Sequence, residues 1–146
     1  MRTIEQALQA AQKLDLPFLI ESTLMDQSRQ YVKLQRDQLR HGLNSEGKRI
    51  GTYLNEQYAD MKHELNPLAG YGNVDLILEG GFSGDLFLDV RQTSFLVESG
   101  DEKSQSLQEK YDENGKVLGL EDERKEEFVE YVRPIFVEAV AKDLSK

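Results

Sequence analysis

Asp85-Leu86-Phe87-Leu88-Asp89-Val90-Arg91-Gln92-Thr93-Ser94-Phe95-Leu96-Val97-Glu98 is the stretch on which the fold class turns. Leu86, Leu88 and Val90 alternate with Asp85, Asp89 and Arg91, the period-two pattern of a half-buried strand. Thr93 to Glu98 supplies another such run, and the chain reverses at about Arg91-Gln92. Upstream, Val74, Leu76 and Leu78 alternate with Asp75 and Glu79, which predicts one more strand, ended by Gly80-Gly81-Phe82-Ser83-Gly84. The expectation is a small three-stranded antiparallel sheet over about residues 74–99. A sheet of that size needs helices over one face.

The flanking segments supply them. Thr3-Ile4-Glu5-Gln6 fits a capping box, and Ile4, Ala7, Leu8 and Ala11 recur at helical spacing to about Leu14. A long second helix is predicted from about Phe18 to His41. Phe18, Met25, Val32 and Leu39 are spaced by sevens, with Leu24, Tyr31 and Leu34 beside them. Gly42 ends it. Residues 52–65 predict a short helix or ordered loop, and residues 104–111 a helical turn or two. The last helix is predicted from about Glu121 to Lys142, kinked near Pro134, which lacks a backbone N–H. Phe128, Val132 and Ile135 line its apolar face, each expected to cost about 2–5 kcal/mol on truncation to Ala. The whole reads as one α+β domain over residues 1–146, a small sheet packed by a long helix of the N-terminal half and a C-terminal helix.

Composition narrows the function. The 146 residues include 27 acidic and 18 basic side chains, a net charge of −9, and no Cys. Disulfides, Cys-zinc sites and thiol catalysis are therefore excluded. No apolar run approaches the roughly 20 residues that span a bilayer, and no membrane partner is expected. The N-terminus lacks the apolar run of a signal peptide, so the expected setting is intracellular. Residues 1–73 carry nine basic and nine acidic side chains, whereas residues 74–146 carry nine basic and eighteen acidic ones. All the net charge lies in the second half. That asymmetry can orient partners and subunits.

Several motifs fall short of chemistry. Gly42-Leu43-Asn44-Ser45-Glu46-Gly47-Lys48 has the spacing of a P-loop, but a helix precedes it and Arg49 stands where the magnesium-binding hydroxyl belongs. A turn is the expected reading. Asp112-Glu113-Asn114-Gly115-Lys116 places a lysine where a calcium loop needs its third oxygen ligand. His41 and His63 are 22 positions apart, and Asp60 with His63 is too small a set for a metal. Gly81-Phe82-Ser83-Gly84 is one residue short of a nucleophile elbow. No catalytic residue, metal or cofactor is nominated.

Arg29, Lys33, Arg36 and Arg40, spaced four, three and four, form a basic ridge on the second helix. Glu123, Glu126, Glu127 and Glu130 form an acidic face on the last one. Either can be a plain solvated face. Alternatively the ridge of one copy docks on the acidic face of the next, a heterologous contact whose closed repetition makes a ring. DNA is a weaker candidate for the ridge, because four cations on an acidic chain neutralise little phosphate.

The order of these pieces resembles a known plan. Val74-Asp75-Leu76-Ile77-Leu78-Glu79-Gly80-Gly81-Phe82 resembles the strand-and-turn motif of tailed-bacteriophage tail-completion and virion-morphogenesis proteins, with Glu79 where that family usually has Thr. Phe95-Leu96-Val97-Glu98-Ser99 matches its following strand, and Lys110-Tyr111 its tyrosine segment. Val117-Leu118-Gly119-Leu120-Glu121-Asp122-Glu123 is similar to its lead-in to the last helix. The stretch Gln38 to Ile50, with Tyr58 and Lys62 beyond it, is similar to uncharacterised proteins of phages of Bacteroides-like hosts. The resemblance implies a virion structural protein of the neck or tail, a head–tail connector, collar ring or tail-completion component, present in host cytoplasm during assembly. It implies self-association and portal, adaptor or tail-protein partners, with DNA passing through the assembly rather than bound by sequence. The alternative is an acidic intracellular adaptor that binds one host or regulatory protein.

Overall fold

The hairpin forms as its alternation requires. In the computed structural model, which describes residues 2–77, 81–91 and 94–146, β1 (Leu86–Val90) pairs antiparallel with β2 (Phe95–Ser99). The register sets Leu86 opposite Ser99, Leu88 opposite Val97 and Val90 opposite Phe95. These six side chains share the face turned to the core, while Phe87 and Leu96 point outward and stay exposed. The remaining elements are helices: α1 (Ile4–Gln12), α2 (Leu16–Asp26), α3 (Ser28–Arg40), α4 (Glu56–Leu65), the single turn α5 (Gly81–Gly84), α6 (Ser104–Tyr111) and α7 (Asp122–Leu144). The fold is α+β, with α3 and the long α7 packed against the hairpin.

The core has two lobes that meet at the sheet. Val32, Leu39, Ile50, Val74, Phe82, Leu86 and Val117 fill one lobe. Tyr31, Leu34, Leu120 and Phe128 fill the other, with Leu88, Phe95 and Val132 at its margin. Tyr31 is the pivot of the second. Its ring meets Phe95 edge-on at 5.4 Å and Phe128 edge-on at 5.1 Å, a favoured aromatic geometry that joins α3, β2 and α7.

Three expectations need correction. First, the helix predicted from Phe18 to His41 is two helices, α2 and α3, parted at Gln27. The cause is tertiary, because α2 turns to lie on α7. Second, no strand forms over residues 74–77; Leu78 and Glu79 lie outside the described residues, so the described sheet has two strands. Asp75, read as facing solvent, points inward, and Leu76 takes a left-handed φ of 59° that no strand permits. Gly81 to Gly84, expected as a break, is the helical turn α5. Third, of the expected core positions of α7 only Phe128 is buried. Val132 and Ile135 are half-buried, since α7 lies at the edge of the lobe rather than through it. The helix runs on through Pro134.

Local signals held elsewhere. The Thr3 side chain accepts from the Gln6 backbone while Gln6 accepts from the Thr3 N–H, the expected reciprocal cap. Gly42, at φ 72°, ends α3 with the Leu43 N–H bonded to the Gln38 carbonyl and the Gly42 N–H to the Leu39 carbonyl. A Cβ there would come within 3.0 Å of the Val74 carbonyl oxygen.

Candidate interaction surfaces and the tyrosine cleft

The basic ridge divides. Arg36 is not free for a partner. Its Nε donates to the Ser83 carbonyl at 2.7 Å and its Nη2 to the Gly84 carbonyl at 3.0 Å, which caps the C-terminal end of α5. Arg29, Lys33 and Arg40 are exposed and make no ion pair among the described residues. On the acidic face, Glu123, Glu126 and Glu127 are likewise exposed and outside any ion pair, whereas Glu130 holds Arg133 at 2.9 Å. Among the described residues no ion pair joins the two patches within one chain. The contact between α3 and the start of α7 goes instead through Arg124, which bridges Asp37 at 2.8 Å and pairs with Glu121. Three cations and three carboxylates are therefore left outward and unpaired.

A third surface was not expected from the sequence. Helix α1 buries no residue, and Ile4, Leu8, Leu16, Phe18, Ile20 and Met25 are exposed along α1 and α2. Val129 and Val137 of α7 are exposed as well. Apolar exposure of this kind along two consecutive helices makes them a candidate interaction surface. The signal was present in the sequence as an over-long apolar stripe, but periodicity cannot say whether a stripe meets its own core or another molecule.

An open cleft of about 750 Å³ lies between α4, α6 and residues 74–76. Tyr53, Tyr58 and Tyr111 line it, with Lys62 at its base and Lys103 and Lys110 on its rim. Tyr58 and Lys62, singled out by the phage resemblance, thus share one site. Lys62 is 4% exposed and forms a 2.5 Å ion pair with Asp75, itself 0% exposed. Asp75 also accepts from Asn66 Nδ2 at 2.8 Å and from the Ile77 N–H at 3.0 Å, so both oxygens are satisfied. The last bond spans the left-handed Leu76 and holds it in a conformation that L side chains disfavour. Sequence reasoning missed this pair because Asp75 sits in an apolar run at a position that strand alternation assigns to solvent.

Burial first, then the nearby Asp75 carboxylate, holds the Tyr53 phenol well above the ordinary tyrosine value of 10.0, partly offset by a hydrogen bond from the Asp75 backbone. Burial raises Tyr31 in the same direction. The folded state therefore keeps protons that the unfolded chain releases near pH 10. Stability is full below that pH and falls as the pH rises above it. Denaturant titrations at pH 9 to 11 should show this loss, with a shallower slope in Tyr53→Phe. An unchanged slope would clear Tyr53 of the effect.

The other sequence candidates are structural. Residues 42–48 form a tight turn in which Asn44 Oδ1 accepts from the Glu46 and Lys48 N–H groups, with no strand before it. Asp112 accepts from the Val117 N–H, closing the 112–116 turn. The His63 ring lies edge-on to Tyr71, whose hydroxyl donates to Asp60 at 2.6 Å. Among the described residues no three His, Asp or Glu converge as a metal site, and no helix is long and apolar enough to cross a membrane. Comparison with protein-family models, with curated proteins and with solved structures finds no match to this chain.

Proposed function

We propose that this protein is a virion structural component of a tailed bacteriophage, acting at the neck or tail by multimeric assembly. The observation that carries the reading is the exposed apolar surface of α1 and α2 beside two unpaired, oppositely charged patches on one small domain. An apolar patch supplies the area that association buries. The charged patches set orientation and suppress wrong pairings. Arg29, Lys33 and Arg40 of one copy dock on Glu123, Glu126 and Glu127 of the next. Because the two patches differ, the contact is heterologous, and its closed repetition makes a ring. The hairpin adds two strand edges that can pair with neighbouring virion proteins. The resemblance to tail-completion proteins, carried by residues 74–82, 95–99, 110–111 and 117–123, supports a position for such a ring between head and tail. The acidic second half suits a channel through which DNA passes without sticking.

Light scattering on the purified protein should give a mass of several chains, and negative-stain images should show closed particles. Reversal of Arg29, Lys33 and Arg40 to Glu is expected to leave a folded monomer and abolish the large species. Arg36 is left alone in that variant because it holds α5. Undiminished assembly would remove the ridge from the mechanism. A strict monomer that copurifies with a single host protein would instead favour the adaptor reading.

A further inference from the structure

The interruption at Gln27 is not written in the sequence as a break. No Gly or Pro lies between Phe18 and Arg40, and Phe18, Met25, Val32 and Leu39 repeat every seven residues. On a continuous helix these four form one stripe. The structure splits them: Val32 is 9% and Leu39 0% exposed, whereas Phe18 is 61% and Met25 58% exposed. The break itself is slight. Gln27 has φ −104° and ψ 14°, and its N–H still reaches the Thr23 carbonyl at 2.9 Å, the ordinary helical partner.

Side chains hold the bend. The Thr23 hydroxyl donates to the Leu19 carbonyl at 2.7 Å, a bond that tends to bend helices. The Tyr131 hydroxyl of α7 donates to Gln27 Oε1 at 3.1 Å. Helix α2 packs along α7, where Ile20, Thr23 and Leu24 line a small apolar groove together with Val129, Val132 and Phe136. Every one of these restraints beyond Thr23 comes from α7.

We propose that α1–α2 is an exchangeable arm whose acceptor is the α7 groove of a second copy of this chain. In the assembled protein the Gln27 junction closes, α2 and α3 become one helix from Leu16 to Arg40, and the arm extends roughly 17 Å beyond its present end at Gln27. Two arguments identify the occupant as a second copy. The groove vacated on α7 is complementary to α2 of this same sequence, so exchange remakes the contacts it breaks, which is why swapping of an identical element costs little. Straightening also brings Phe18 and Met25 into line with Val32 and Leu39, beyond the chain's own core, where only a neighbour can cover them. The inference rests on the self-assembly reading above and specifies how the copies are linked.

The absence of Cys makes the test direct. Ile20→Cys with Phe136→Cys places one thiol on each side of the groove. The assembled protein is treated with a short bismaleimide and separated under denaturing conditions. Covalent multimers are expected, against a monomer-sized product from dilute, unassembled protein. Assembled particles that yield only the monomer-sized product overturn the exchange and leave self-assembly standing. Protein that stays monomeric by light scattering overturns both. Should the double variant misfold, Gln27 alone reports: Gln27→Ala favours the continuous helix and removes the Tyr131 contact, whereas Gln27→Gly opposes it. The assembled fraction should differ by roughly fivefold in favour of Ala, and equal fractions would overturn the straightening.

Discussion

Asp75→Ala is expected to destabilise the protein by about 3–5 kcal/mol, the range for removing one member of a buried ion pair. The Lys62 ammonium is 4% exposed and 2.5 Å from the Asp75 carboxylate. Without that carboxylate it is a buried charge with no counterion. The same substitution strands the Ile77 N–H and takes one of two acceptors from the Asn66 amide, which keeps the Arg40 carbonyl at 2.7 Å. It also removes the bond that holds Leu76 at φ 59°. Urea unfolding measures the loss. The double variant Lys62→Met with Asp75→Leu should be much less harmful than Asp75→Ala, because replacing both partners leaves no uncompensated charge. A double variant as unstable as the single one would mean that the packing around α4, rather than the charge, sets the cost.

That pair also shows where the sequence stopped being legible. Elements governed by near neighbours came through: the Thr3–Gln6 cap, the Gly42 ending of α3, the two hairpin strands and the span of α7 each depend on residues within one turn or one strand pair. Asp75 failed because the alternation rule knows only two faces. It could not foresee that Lys62, thirteen residues earlier, would reach Asp75 from α4. The break at Gln27 failed for a related reason. Its restraints, Tyr131 and the α7 groove, lie about 100 residues away in the chain. Among the candidate surface residues, the distinction between Arg36 and its neighbours was invisible for the same cause. Nothing in the spacing of Arg29, Lys33, Arg36 and Arg40 marks the one whose guanidinium reaches the carbonyls of Ser83 and Gly84. The unpaired apolar face of α1 and α2 was readable as amphipathic helix, but not as surface.

Gln38→Ala is the second substitution expected to unfold much of the population, and the reason is polar rather than apolar. Gln38 is fully buried in α3, on the side away from the basic ridge. Its Nε2 donates to the Asn44 carbonyl at 3.1 Å and to the Gly119 carbonyl at 2.8 Å, and its Oε1 accepts from the Glu121 N–H at 2.8 Å. One side chain thus ties the 42–49 turn to the lead-in of α7. Truncation takes the Gln38 partner from the half-buried Gly119 carbonyl and Glu121 N–H, while the Asn44 carbonyl keeps the Gly47 N–H; at about 1–3 kcal/mol for each of the two orphaned groups the expected cost is about 2–6 kcal/mol. Gln35, one turn earlier and equally buried, is the control. Its Oε1 accepts from the Gly119 N–H at 2.8 Å, but its Nε2 has no partner among the described residues. Gln35→Ala orphans one backbone group and removes an unsatisfied amide, so it should cost about half as much or less. Equal losses in the two variants would show that cavity volume, which the two truncations share, outweighs hydrogen bonding at this junction. The expected inequality would place the coupling between the turn and α7 in the three bonds of Gln38.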